Sequence, residues 1–328
     1  MARPLNVLVT GGAGYIGSAV VARLLWRGHS VRVIDNLSFG GGPLLGVLSH
    51  EAFEFHRGDV RRREDCQRAL EGVDAVIHLA AIVGDKACRE NERLAIAVNK
   101  EASEAFCQLA IKAGVARFVF ASTCSNYGKS AGNGDFVDET SPLHPLSLYA
   151  RLKVDFEEYL LGLKLPRFVP TCLRFATAYG ISARPRFDLT LNEFCRELAL
   201  GRRLEVYGGH LWRPYCHVAD LAAGCVLVLE ADPAVVACQA FNVGGTSENY
   251  QKKTLVELIL EQLPQAREHV YYSAGVDDPR DYRVSCEKIK TTLGFRPGRK
   301  VPDGIKQVIF GITSGLVASP DDPAYRNA

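Results

Sequence analysis

One stretch constrains this chain more than any other: Val7-Leu8-Val9-Thr10, then Gly11-Gly12-Ala13-Gly14-Tyr15-Ile16-Gly17, then Ala19-Val20-Val21-Ala22-Arg23-Leu24-Leu25. The first run reads as a strand and the last as a helix, so the glycines occupy the turn between them. Glycines spaced i, i+3 and i+6 in such a turn permit a tight bend, close backbone approach to a diphosphate, and close packing of helix on strand. The helix N-terminus adds unpaired N–H groups and a partial positive charge. Asp35 ends the next strand, Val31-Arg32-Val33-Ile34-Asp35, 18 positions beyond Gly17. A carboxylate there accepts hydrogen bonds from ribose hydroxyls and repels a 2′-phosphate. The pattern predicts a dinucleotide site with NAD favoured over NADP. A glycine turn with no ligand is the plainer alternative.

Further apolar runs follow at 75–79, 118–121, 171–174 and 240–243, with helical patterns over about 95–113 and to about 163. Strands apolar on both faces, alternating with helices, imply right-handed crossovers and a parallel sheet. The expected fold is α/β, a Rossmann-type doubly wound parallel sheet with a smaller C-terminal α/β lobe. Residues 1–174 are assigned to the dinucleotide domain, with a strand near 240–245 returning to it. Residues 175–317 are assigned mainly to an interleaved substrate lobe, and 318–328, poor in apolar residues, to a flexible tail.

Composition narrows the class. With 328 residues, 47% hydrophobic and 23% charged, the chain can bury a sizeable core. A net charge of +2 supplies no broad field for nucleic acid or an anionic membrane. No apolar run reaches the ~18 residues of a membrane span, and Met1-Ala2-Arg3-Pro4 leads into no signal-like segment. A cytoplasmic protein is expected. The ten cysteines are scattered, without metal-ligand spacing, so no metal site is expected and most are read as small buried hydrophobes.

Tyr149 and Lys153 stand four apart in a helical stretch, hence on one face. A phenol with pKa near ~10 is a poor base at neutral pH, and a neighbouring ammonium stabilises its phenolate. The helix follows the strand ending in Ser122-Thr123, where a hydroxyl can hydrogen-bond the oxygen that Tyr149 deprotonates. His78 and His217 are read as hydrogen-bonded structural histidines, and Trp212 and Tyr215 as packing.

These motifs together resemble one family. TGGAGYIG at 10–17, DNLSFG at 35–40, GDV at 58–60, HLAA at 78–81, STCSNYG at 122–128, YARLK at 149–153, RPYCHVADLA at 213–222 and FNVGG at 241–245 are similar to the extended short-chain dehydrogenase/reductases that act on nucleotide sugars. The resemblance implies Thr123, Tyr149 and Lys153 as catalytic residues, Lys153 also holding the nicotinamide ribose. It implies a cofactor site that adds Asn36, Asp59, Val60, Leu79, Ala80 and Ala81 to Gly11, Gly14, Tyr15, Ile16, Gly17 and Asp35. Substrate contacts from Cys124 and Ser125 beside Thr123, and from Asn192, Arg213 and Arg280 on the substrate's diphosphate, follow from the same resemblance. So does a homodimer packed through the helices around 95–113 and 147–163.

In this family Tyr149 would take the proton of the sugar 4-hydroxyl as hydride leaves C4 for NAD. 4,6-Dehydratases of the family usually carry an Asp-Glu pair after the Thr; here Cys124 and Ser125 stand there, which disfavours ordinary dehydration. A 4-epimerase needs no such pair and is the favoured reading, UDP-glucose 4-epimerase-like. Ile82-Val83-Gly84-Asp85 lacks a Lys common in those epimerases, and Thr177 replaces a common Asn, so nucleotide and hexose stay open. The alternatives are another enzyme of the family (a 4-keto reductase, a dehydrogenase, an atypical dehydratase, or a 3- or 5-epimerase using a Cys124 thiolate) and a non-catalytic NAD sensor.

Overall fold

Strands that are apolar on both faces need cover on both, and the sheet they build here has it. In a computed structural model that describes residues 3–129, 135–273 and 280–327, β1 (Asn6–Thr10), β2 (Ser30–Asp35), β3 (Phe53–Arg57), β4 (Ala75–His78), β5 (Arg117–Thr123), β6 (Val169–Phe175) and β7 (Gln239–Val243) form one sheet. Their order is β3-β2-β1-β4-β5-β6-β7, and every pairing is parallel. The fold is therefore the expected Rossmann-type α/β sheet. β3 is the strand the apolar pattern does not announce, because Glu54 and His56 interrupt it.

Alternate side chains of these strands feed two cores. Leu8, Ile34, Val76, Phe118 and Phe120 pack with Phe106 and Phe156 on one face. Val7, Val9, Val33, Ile77 and Leu173 pack on the other, against Val20, Val21 and Leu24 of α1 (Tyr15–Trp26). Each such fully buried side chain contributes roughly 1.5–3 kcal/mol relative to exposure. The helix expected over 95–113 is helical from Glu92 to Lys112 but widens into a π turn at Ala97–Ala102. There Asn99 reaches the Ile82 backbone with both amide atoms, accepting from Ile82 N at 2.8 Å and donating to Ile82 O at 2.9 Å. The local unwinding thereby fixes the loop after β4.

The second lobe has its own core, with Leu191, Phe194 and Leu198 on α3 (Thr190–Ala199) packed against Ile305, Val308 and Ile312 on α5 (Val301–Thr313). Between them in sequence, α4 (Val218–Glu230) lies against α1 of the main sheet. Short strands Thr177–Tyr179, Trp212–His217 and Asn249–Gln251 make a three-stranded sheet. Residues 318–327, expected to fray, are instead docked. Tyr325 packs edge-on against Phe187, its carbonyl accepts from Phe187 N at 2.9 Å, and Asp321 pairs with Arg202 at 2.6 Å. One aromatic anchor and paired polar groups substitute for the apolar run whose absence suggested disorder.

Candidate active site

The strand order reverses between β2 and β4 around β1, and there the loops of the two flanking crossovers separate into a crevice. A cavity of about 590 Å³ opens at these carboxyl ends. Gly11, Gly14, Tyr15, Ile16 and Gly17 line it, as do Asp35 and Asn36, Asp59 and Val60, and Leu79, Ala80 and Ala81. Two glycines are obligatory. Gly11 has φ +72°, and a Cβ on it would lie 2.9 Å from Ala80 N; a Cβ on Gly17 would lie 2.1 Å from Gly11 O. The turn therefore presents bare backbone to the cavity, which is the fit a diphosphate requires.

Thr10, ending β1, holds the opposite wall. Its hydroxyl accepts from Leu79 N and Ala80 N, both at 3.1 Å, and meets His78 Nδ1 at 2.9 Å. His78 also bonds Ser103 Oγ at 3.0 Å, and burial with the nearby Lys153 charge brings its pKa down to about 3. It is a neutral structural histidine. Asp35 accepts from Ala13 N at 3.0 Å and Leu37 N at 2.8 Å. Burial pushes its carboxyl up, and these two N–H groups oppose the shift. Arg61 grips Asp59 through two hydrogen bonds and holds its carboxyl below the ordinary value.

Tyr149 and Lys153 lie on α2 (Leu148–Gly162), whose first turn is capped by Ser147 Oγ accepting from Ala150 N at 3.2 Å. The same hydroxyl donates to Asp85 at 2.6 Å, and Asp85 holds Arg280 at 2.6 Å, so the loop after β4 sets both the start of α2 and an arginine of the cavity wall. Ser125 N donates to Thr123 Oγ1 at 3.1 Å, and Thr123 and Tyr149 line the cavity together. Burial pushes the Tyr149 phenol up, while the Arg186 charge and the Thr123 hydroxyl pull it back. Lys153 donates to Ala121 O at 2.8 Å, its Nζ 5.9 Å from the Tyr149 ring centroid, and burial lowers its pKa to about 8. It is still mostly a cation at neutral pH.

Beneath the site, α2 is pinned to the sheet by a buried network. Arg174 donates to Glu157 at 2.9 and 2.6 Å and to Tyr127 OH at 2.9 Å, Tyr127 donates to Asn242 at 2.8 Å, and Ser122 donates to Glu157 at 2.5 Å. Removing one partner of such a pair strands a buried charge, at a cost of about 3–5 kcal/mol.

Of the residues expected to meet the substrate, Ser125 and Arg280 line the cavity with Thr123; Cys124, Asn192 and Arg213 do not. Cys124 turns into the sheet core, its thiol donating to Arg174 O at 3.2 Å, and burial drives that thiol far above its ordinary pKa. The expected substrate contact, and a thiolate acid/base, are corrected accordingly. Asn192 is fully buried, accepting from Gly180 N at 2.9 Å and donating to Gly180 O at 3.1 Å and Arg186 O at 2.9 Å. It fixes a loop. Arg213 lies behind Tyr282, its guanidinium 5.2 Å from that ring's centroid, and donates to Trp212 O at 2.6 Å. His217 caps α4 through Ala219 N and bonds Gln307 at 2.7 Å, while Tyr215 is buried packing and Trp212 stacks with Arg283.

The cavity also contains Phe39, from the DNLSFG run, and Thr177, neither of which the sequence assigns a role, together with four residues that no motif marks: Arg184, Arg186, Tyr282 and Asn327. Arg184-Pro185-Arg186 is visible in sequence as a basic loop, but nothing local ties it to the site. In the fold Arg186 is buried and bound bidentately by Asp188 at 3.0 and 2.5 Å. Among the described residues no cluster of His, Cys, Asp and Glu is placed to hold a metal, and no helix is long and apolar enough to cross a membrane.

Comparison with known proteins agrees with this geometry. The sequence profile of the NAD dependent epimerase/dehydratase family matches residues 7–244. UDP-glucose 4-epimerase of Corynebacterium glutamicum is 31% identical over 335 residues, 95% of this chain and 97% of that protein. Two crystal structures are each 28% identical and cover 95% of this chain. One is the dTDP-glucose 4,6-dehydratase DesIV of Streptomyces venezuelae with NAD bound, at a TM-score of 0.85 over 98% of its length. The other is the UDP-glucose 4-epimerase of Thermotoga maritima with UDP-glucose, at 0.84 over 100% of its length. The chain belongs to the NAD-dependent epimerase/dehydratase family, and NAD is its cofactor.

Proposed function

We propose that the protein is a nucleotide-sugar 4-epimerase that keeps its NAD through the catalytic cycle. The observation that carries this is the chemistry at the sugar end: Thr123, Tyr149 and Lys153 converge on one cavity, and among the described residues no second acid/base pair stands beside them. Among the described residues three carboxylates line that cavity. Asp35 and Asp59 belong to the adenosine end, and Asp85 is committed to Ser147 and Arg280. Elimination of water across C5–C6 needs an acid and a base next to Thr123, where the chain has a buried thiol and a serine. In this reading the chain shares its fold and a first oxidation at C4 with dTDP-glucose 4,6-dehydratases, and the dehydration step is absent.

In this reading Asp35 accepts the adenosine ribose hydroxyls, the 11–17 turn carries the diphosphate, and Leu79, Ala80 and Ala81 form an apolar wall. Bound NAD supplies a reversible hydride acceptor for sugar C4. Tyr149, as phenolate, takes the proton of the 4-hydroxyl while Thr123 donates a hydrogen bond to the same oxygen. Lys153 and Arg186 supply positive charge that stabilises the phenolate. The 4-keto sugar then presents its other face, C4 regains the hydride, and Tyr149 returns the proton, so cofactor and enzyme end unchanged. Arg280 is the diphosphate contact this arrangement favours, through its guanidinium fork.

Incubation with UDP-, dTDP-, GDP- and CDP-hexoses, followed by NMR of the products, tests the proposal. Epimeric pairs should form without added cofactor; a 4-keto-6-deoxy product or stoichiometric NADH release would overturn it. The reading includes a homodimer through the helices at 92–112 and 148–162, and a light-scattering mass of 35.9 kDa for the active species would remove that part.

A further inference from the structure

The proposed chemistry makes no use of residues 322–327, yet this segment holds one side chain at every point of its fork. Arg184 donates through Nε to Ala324 O at 3.0 Å, through Nη2 to Arg326 O at 3.1 Å, and through Nη1 to Asn327 Oδ1 at 2.9 Å. An arginine so held has lost its rotamer freedom and presents a fixed plane. That plane lies over the Phe39 ring, 3.7 Å from its centroid. Phe39 belongs to the loop after β2 that also carries Asn36 and Ser38, and both Phe39 and Arg184 line the cavity at its Asp35 end. Asp35 lines the same cavity as Arg184, and the Arg184 charge lowers its carboxyl's pKa against the larger upward push of burial.

The same segment reaches the other walls. Asn327 donates through Nδ2 to Val83 O at 3.2 Å, in the loop after β4, and through its backbone N–H to Asp188 at 3.3 Å, and it lines the cavity itself. Asp322 caps the short turn Pro323–Tyr325 by accepting from Ala324 N at 2.8 Å, which fixes the carbonyls that Arg184 needs. Three separate stretches, at 39, 83 and 184–188, are thus joined by one short peptide.

We infer that residues 322–327 form a clasp that holds Arg184 against Phe39 as a wall of the adenosine end of the NAD site, so that retention of the dinucleotide depends on this segment. Cofactor exit requires that Arg184 leave Phe39, and Arg184 cannot do so without releasing its three acceptors. The inference holds for either sugar chemistry, because it concerns the cofactor end alone.

The test is the dissociation rate of radiolabelled NAD from holoprotein chased with excess unlabelled NAD. The chain ended after Ser319 and Arg184→Met should each release NAD about tenfold faster or more, the equivalent of about 1.4 kcal/mol. Combining them should be no faster than either alone, because the clasp acts through Arg184. Wild-type release from the shortened chain, or multiplicative effects in the combination, would overturn the inference. Asn327→Ala covers the case in which the shortened chain does not fold. It keeps the Tyr325 anchor and removes one acceptor of Arg184, so release should quicken a few-fold, about threefold; an unchanged rate would also overturn it.

Discussion

The two ends of the cavity are built by different means. At the cofactor end the working groups are backbone: the turn at 11–17, the Leu79–Ala81 edge, and the N–H groups that orient Asp35. At the sugar end they are side chains delivered from far apart in sequence: Thr123 from β5, Tyr149 and Lys153 from α2, Arg186 from a loop, and Arg280 through Asp85. Backbone geometry is dictated locally, by glycine spacing and strand–turn–helix order. Side-chain convergence is dictated by packing over the whole chain. The two ends should therefore fail separately when mutated.

Tyr149→Phe presses hardest on that separation. General acid–base catalysis contributes about 10²–10⁴-fold, so turnover should fall by roughly three orders of magnitude. NAD content should stay at the wild-type level, because the backbone cradle is untouched. Loss of bound NAD in a folded Tyr149→Phe protein would show that the ends are not independent.

Asn192→Ala tests a residue that sequence resemblance assigns to the substrate and the fold assigns to loop support. Removing it strands Gly180 N and Arg186 O in a fully buried position, while Gly180 O keeps the Tyr15 hydroxyl at 2.8 Å. Unsatisfied buried groups cost about 1–3 kcal/mol, to be read as a lower urea midpoint. KM for the nucleotide sugar should move less than about twofold, since the side chain does not line the cavity. A large KM increase at unchanged stability would restore a direct contact.

Arg186→Gln asks whether the sugar end is electrostatically organised. The Arg186 charge lowers the phenol's pKa; removing it raises that pKa, so the acid limb of kcat against pH moves to higher pH. Below that limb activity falls in proportion to the phenolate fraction, so the loss at neutral pH should be on the order of tenfold for every pH unit the limb moves. Raising the pH should recover activity, but only until Lys153 deprotonates near about 8 and the second cation is lost. A uniform loss at all pH values would make Arg186 a binding residue with no hold on the phenolate.

The sheet was legible because its strands are continuous apolar runs; β3 escaped because Glu54 and His56 break its pattern at an edge. The cofactor end was legible because glycine spacing and the strand–turn–helix order build it without help from distant residues. Tyr149 and Lys153 were legible because they share one helix face. Arg184 and Arg186 were not, since their positions depend on acceptors as distant as Asn327 and on Asn192 holding the Arg186 carbonyl. The docking of 322–327 escaped because polar contacts and one aromatic ring replace an apolar run, and composition weighs only the latter.

Cys124 gives the smallest expected effect. It adjoins Thr123 in sequence, but β5 ends at Thr123 and Cys124 opens the short turn that follows, so adjacency to Thr123 does not carry it into the cavity. The thiol is buried in the sheet core and donates to Arg174 O at 3.2 Å. Burial and the neighbouring Cys286 raise its pKa far above neutrality, so no thiolate is available to abstract a proton beside a keto group. Cys124→Ala should leave kcat and NAD content within about twofold, while the lost S–H···O contact and small void lower stability by roughly 1 kcal/mol. The stability change locates the thiol and the rate excludes it from the chemistry. If kcat fell tenfold at unchanged stability, Cys124 would have to reach the sugar, and a 3- or 5-epimerisation would become the better account of the sugar end.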